Sequence, residues 1–344
     1  MLETTTPQTP AGQTPAPQTP AGQTPAPSCA PVGSAPADSA PTSVLGRNQY
    51  GKAEVRLVHV DRSTPRHALT DLNVTSMLRG DFEDCYRTGD NARVIATDTQ
   101  KNTVYAFAKQ YGVAGPERFL LRLADHFMAE GTWLTGGRWE AEQFGWERIT
   151  AAGEGHDHSF VRTGPEVRTA AVTVQDGAAH VIGGIKDLVV LKSTGSEFHG
   201  FPRDRYTTLP ETTDRILATE VTARWRFREP ITADGTSGVD PDETFAAVRA
   251  VLLETFATTH SLSLQQTLFA IGEAVLAARP ELAEIRMVMP NKHHYLVDLS
   301  PFELGNDNEV FLAGDRPYGL MQAAVTRPGE PDQPAAWEWL GGFC

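Results

Sequence analysis

Apolar residues recur along this chain in two alternating rhythms, and from Asn48 onward the same succession of rhythms runs through twice. Residues 52–60 alternate at period two, the mark of a half-buried strand, and a second strand is predicted over 82–96. The period then lengthens to that of a helix. Val104, Phe107 and Tyr111 share one face, Thr97 and Gln100 have the spacing of a capping box at its start, and Gly112 ends it. A second helix follows, with Pro116 in its first turn, Phe119, Leu123 and Phe127 on one face and Gly131 as the stop. Strand-like runs return at 133–149 and 160–174.

The second passage has the same order. Strands are predicted over 179–192 and 215–227. Asp240, Pro241 and Glu243 then combine an N-cap, a first-turn proline and an N3 glutamate ahead of the stripe Phe245, Val248, Leu252 and Phe256. Ser263 and Gln266 repeat the capping-box spacing, and Leu264, Leu268, Ile271 and Val275 form the next stripe before Pro280. Strands at 284–299 and 318–325 close the passage. Two strand-strand-helix-helix-strand-strand units predict an α+β fold, with antiparallel sheets and helix pairs on one face, divided into 45–177 and 178–327 and followed by a tail at 328–344.

Residues 1–44 are different material. The decapeptide at 7–16 recurs unchanged at 17–26, ten of the 24 prolines lie here, and there is no aromatic residue. Such a Pro/Thr/Gln/Ala-rich segment cannot bury enough apolar surface to offset its ordering entropy, so a disordered, partly extended tail is expected.

Composition narrows the function. The formal net charge of −13 without a basic block argues against a nucleic-acid surface. No apolar run approaches a membrane span, and the first residues lack a signal-peptide pattern. Three scattered cysteines (Cys29, Cys85, Cys344) fit a reducing compartment better than a disulfide framework, so a cytoplasmic location is expected.

Polar groups gather in four islands: 96–103, 198–211, 263–266 and 290–294. Thr97, Asp98 and Lys101 stand at a helix start, where free backbone N–H groups point outward; Ser263, Leu264 and Gln265 stand at another. Each is accounted for by helix capping, but together they could supply donors to one anionic or carbonyl-rich ligand. Phe198 and Phe201 lie in an irregular loop, as core plugs or stacking platforms. Arg215, opening a strand, could pair with a surface acid or grip a planar ligand with its fork. At strand pitch Asn291 and His293 would face one side, Lys292 and His294 the other. His156 and His158 also alternate, and metal binding by that pair is a weaker reading.

These islands, in this order, resemble urate oxidases. The matching stretches are 48–52, 96–105, 198–215, 266–268 and 290–295, and the similarity covers about 48–325. The resemblance implies tandem tunnelling-fold (T-fold) domains, and a homotetramer enclosing a barrel-walled tunnel with active sites at subunit interfaces. It implies oxidation of urate by O₂ to 5-hydroxyisourate and hydrogen peroxide with no cofactor and no metal. By similarity Phe198 stacks on the urate ring, Arg215 and Gln265 grip its edges, and the backbones of Leu264 and Asp98 complete the rim. Lys52, Thr97 and His293 would form a proton relay, while Asn291 beside Thr97 holds O₂ and later water. Two other readings stay open: a tunnelling-fold enzyme acting on a pterin or another purine, and a non-catalytic purine-binding protein.

Overall fold

A computed structural model of the chain describes residues 43–341. The proline-rich segment expected to be disordered lies almost wholly outside the described residues, as do Cys29 and Cys344.

Eight strands form one antiparallel sheet: β1 (Tyr50–Asp61), β2 (Ala68–Gly80), β3 (Leu134–Ala151), β4 (Glu154–Gln175), β5 (Ala178–Lys192), β6 (Leu217–Phe227), β7 (Leu282–Asn291) and β10 (Gly319–Thr326), in that spatial order. A small ladder of β8 (His294–Leu296) and β9 (Phe311–Ala313) is inserted between the last two. Helices α1 (Glu83–Thr88), α2 (Thr97–Tyr111) and α3 (Pro116–Glu130) connect β2 to β3, while α4 (Pro241–Thr258) and α5 (Leu264–Ala278) connect β6 to β7. The unit read from the sequence therefore occurs twice. The sheet runs unbroken through the junction between the units, because β4 turns into β5 over Asp176 and Gly177, both at positive φ as a two-residue hairpin of type I′ requires. Each unit also opens on the same irregularity. β1 is bulged between Lys52 and Val55 with Glu54 at φ 57°, and β5 between Ile185 and Leu188 with Asp187 at φ 59°.

One face of the sheet makes the core. Ser76, Trp139, Val172 and Val181 succeed one another across the ladder and, with Leu72, Val74, Trp225 and Ile285, meet the apolar stripes of the four long helices. The stripes have the predicted membership: Val104, Phe119, Leu123 and Phe127, then Val248, Leu252, Phe256, Leu264, Leu268, Ile271 and Val275 are all buried, whereas Tyr111 is exposed. The second strand of the first unit is not at 82–96. It is β2, whose Leu72, Val74, Ser76 and Leu78 point into the core while Asn73, Thr75 and Met77 lie on the other face. Residues 82–96 instead form α1 and irregular chain, and Phe82 is a plug packed edge-on against Tyr50 at 4.7 Å.

The opposite face is polar but not bare. Glu140, Ala171, Ile182, Arg226 and Glu284 follow one another across it. Upon them lies the short helix α6 (Pro334–Trp337), in a segment for which the sequence suggested no role. Trp337 packs with Ala171, Ile182, Ala336 and Leu340, donates its indole N–H to Glu284 Oε2 at 3.1 Å, and lies 4.1 Å beneath the Arg286 guanidinium. Glu338 continues the strap by pairing with Arg47 and Arg79. Among the described residues no helix is long and apolar enough to cross a membrane.

Candidate active site

The predicted site residues fall into two groups. The first surrounds the start of α2. Lys52 is half-buried at the β1 bulge, which re-aims the strand there. Thr97 and Asp98 are the first two residues of α2 and are exposed. The Asp98 carboxylate accepts from Lys101 Nζ and, at 2.9 Å, from Asn102 Nδ2. The Lys101 ammonium holds its carboxyl below the usual range, with Asn102 and the Lys52 charge adding to the effect. The capping box expected from Thr97 and Gln100 is not formed. Ala96 occupies the N-cap position and no side chain caps the helix. Gln100 turns into the core, where its Oε1 accepts from Ser76 Oγ at 3.0 Å, because a buried hydroxyl must find a partner.

The second group gathers around the loop between β5 and β6. Phe198 is half-buried, stacked on Phe201 at 5.0 Å and 15°, with the Arg215 guanidinium carbon 5.1 Å from its ring centre. Arg215 Nε donates to Ser196 Oγ at 3.3 Å, and burial pushes the guanidinium pKa down. His293 is lowered by desolvation first, then by the Arg215 and His294 charges. Asn291 is buried at the end of β7, between Thr219 and Gly319. The strand predicted through 284–299 breaks after Asn291, where Lys292 N donates to Ala218 O and Lys292 Nζ pairs with Glu220 at 2.6 Å. Leu264 is buried at the first position of α5 and Gln265 is exposed. Here the cap does form: Ser263 Oγ accepts from Gln266 N at 3.1 Å, while Gln266 Oε1 accepts from Leu262 N at 2.7 Å, one residue earlier than a capping box prescribes.

The ladder separates the two groups. Lys52 lies level with Ser76, Trp139, Val172 and Val181, whereas Asn291 lies level with Thr219 and Val190. From Val181 to Val190 is nine residues along β5, roughly 30 Å at the rise of a strand. Across the sheet, β1 is an edge strand and β7 stands six places away, about 29 Å at one strand spacing each. The helix starts are not equivalent either: α2 is the first of the two long helices of its unit and α5 the second of its own. Among the described residues no hydrogen bond, ion pair or ring contact joins the Lys52, Thr97 and Asp98 group to the Phe198, Arg215 and His293 group.

A family model for uricase matches residues 48–173 and 181–322. The chain belongs to the uricase family. A uricase from Arthrobacter globiformis is 58% identical over 301 residues, covering 88% of this chain and 96% of that protein. One from Emericella nidulans is 39% identical, covering 83% and 98%. The crystal structure of the Arthrobacter globiformis uricase superposes with a TM-score of 0.80 over 85% of this chain and 98% of that one. A uricase structure from Bacillus fastidious reaches 0.70 at 26% identity, covering 82% and 94%. As a uricase, the chain is an oxidoreductase acting on urate.

Two residues of the second group escaped the sequence reading. Glu197 holds both His199 and His260, the latter 63 positions away. No spacing rule links such a pair. His156 and His158 are in contact edge-on at 4.5 Å, and among the described residues no three His, Cys, Asp or Glu side chains are placed to share a metal ion.

Proposed function

We propose that this uricase converts urate, O₂ and water to 5-hydroxyisourate and hydrogen peroxide at a site completed only when two copies of the chain meet. The observation that carries the reading is the separation of the two groups, six strands apart across the sheet and at opposite ends of its strands. A two-fold axis that brings β1 of one copy toward the β7 end of another unites the groups, and by symmetry does so twice. Among the described residues both edge strands, β1 and β10, have a free ladder side, and the chain near β8 to β10 exposes Phe302, Leu304, Leu312 and Leu320. Two such dimers stacked into a homotetramer, each unit a T-fold domain and the sheets walling a tunnel, accord with the duplicated strand-helix order.

In the joined site Phe198 offers its ring as a platform and Arg215 and Gln265 grip the two edges of the planar anion. The first N–H groups of α2 and α5, near Asp98 and Leu264, complete the rim. Lys52, Thr97 and His293 carry protons, and removing a second proton from urate makes the ring reducing enough to give an electron to O₂. The lowered His293 pKa keeps its imidazole neutral near pH 7, the form able to accept a proton. Asn291 holds O₂, and then the attacking water, beside Thr97.

Complementation tests the reading. Thr97→Ala and Arg215→Ala copies, each nearly inactive alone, are unfolded together and refolded as mixed oligomers, with loss of urate absorbance and appearance of peroxide as readouts. Some interfaces then hold one intact group from each copy and activity returns to a fraction of the wild type. Mixed oligomers as inactive as their parents would place each site within one chain.

A further inference from the structure

The loop that carries Phe198 is pinned on three sides. Glu197 N donates to Ser261 O at 2.8 Å and Ser261 N to Gly195 O at 2.9 Å, a parallel bridge to the residues just before α5. Phe198 exchanges backbone bonds with Thr212, and Arg215 N donates to Ser196 O. Beneath the seam the fully buried Ser261 and Thr267 hydroxyls meet at 2.6 Å. These backbone bonds leave the segment on both sides: Gly195 O and Glu197 N face Ser261, while Ser196 O and the Phe198 backbone face Arg215 and Thr212. Gly195 at φ 72° and Gly200 at φ 76° flank it, and each is tied in turn, Gly195 O by Ser261 N and Gly200 N by Glu211 Oε1 at 3.0 Å.

Successive side chains of an extended segment point to opposite sides, which sets Glu197 on the side away from Phe198. Its two carboxylate oxygens are both taken: Oε1 by His260 Nε2 at 2.8 Å and Oε2 by His199 Nε2 at 2.9 Å. His260 belongs to the chain leading into α5, so a side-chain tie spans the same two segments as the backbone bridge. We propose that Glu197 is a positioning residue of the urate site, whose grip on His260 reinforces the backbone bridge with a side-chain tie and holds the Phe198 ring in register with the first turn of α5. The proposal rests on the assignment of Phe198, Leu264 and Gln265 to the substrate. The hydrogen bond from His260 is the main reason the Glu197 carboxyl is held below its usual range, so the acceptor stays ionised at neutral pH.

The test separates positioning from folding. His199 and His260 are half-exposed, so truncating either empties no core. Glu197→Ala and His260→Phe are expected to weaken binding of 8-azaxanthine, a urate analogue that is not oxidised, by about 3- to 10-fold, the weight of a partly solvated hydrogen bond to a charge. KM for urate rises with it, kcat stays within about two-fold, and the melting temperature is held. His260→Gln, which can still donate to the carboxylate, restores the affinity. Unchanged affinity in Glu197→Ala, or His260→Gln binding no better than His260→Phe, overturns the proposal. Phe198→Ala is measured beside them. If it leaves analogue affinity intact, the site assignment itself is wrong; if it weakens binding while Glu197→Ala does not, only the positioning role is lost.

Discussion

The starts of α2 and α5 hold the two halves of one proposed site, yet they are built in opposite ways. α5 is finished within its own chain. Ser263 caps it, Gln266 reaches back to Leu262, and the preceding residues are sewn to the Phe198 loop by backbone and side-chain bonds. α2 begins at Ala96 with no cap at all, and the glutamine expected to complete one is spent on a buried serine. Thr97, Asp98 and Thr99 of its first turn are exposed residues. A helix start left without its inexpensive side-chain cap has donors to offer to something outside the chain, whereas a capped one serves first to hold a platform steady.

The contrast can be broken most forcefully at Thr97. Thr97→Ala and Lys52→Met are expected to lower kcat by roughly 10²–10⁴-fold, the loss of a positioned proton-transfer group, with little change in melting temperature since Thr97 caps nothing. Near-normal turnover in both would leave α2 with no part in the chemistry. Arg215→Lys acts on the other half and should weaken urate-analogue binding by about 10- to 100-fold, because an ammonium cannot reproduce a two-pronged grip. Equal affinity by calorimetry would remove the edge clamp.

Smaller changes sharpen the contrast. Ser263→Ala removes a cap that exists and should cost about 1 kcal/mol in denaturant melts. Ala96→Ser adds one that does not, in a backbone conformation (φ −53°, ψ 137°) suited to an N-cap, and should stabilise the fold while reducing turnover as its hydroxyl competes for the same N–H groups. If Ala96→Ser leaves turnover untouched, those donors are not used. The smallest effect is on pH. Burial lowers His293 below its ordinary 6.5, so it stays neutral in the fold where the unfolded chain already binds a proton. Its contribution to stability is present above pH 6.5 and lost as pH falls below it, and the acid limb of kcat/KM should likewise lie below 6.5. His293→Gln should abolish that limb; its persistence would assign it to another group.

Much of the fold was legible because its signals are local. The stripes of the four long helices, the Asp240 N-cap and the proline at the start of α3 are written within single turns of chain, and the structure realises them. β2 was missed because its open face carries Asn73 and Thr75 and its alternation does not look apolar, while Phe82 and Val94 lent a false strand signal to 82–96. The capping box at Thr97 had the right spacing and failed for a tertiary reason: Ser76, 24 positions away, needed Gln100 more.

The sequence by itself determined the duplicated order of strands and helices, the islands of polar chemistry and the family, since each rests on residues close together along the chain. The tertiary structure alone decided three things. One is the single sheet that sets Lys52 and Asn291 six strands apart and at opposite ends. Another is the strap that lays Trp337 over Ala171 and Ile182 on the face away from the helices. The last is the grip of Glu197 on His260. Each depends on which distant segments become neighbours, and strand pairing and burial settle that only once the whole chain has folded.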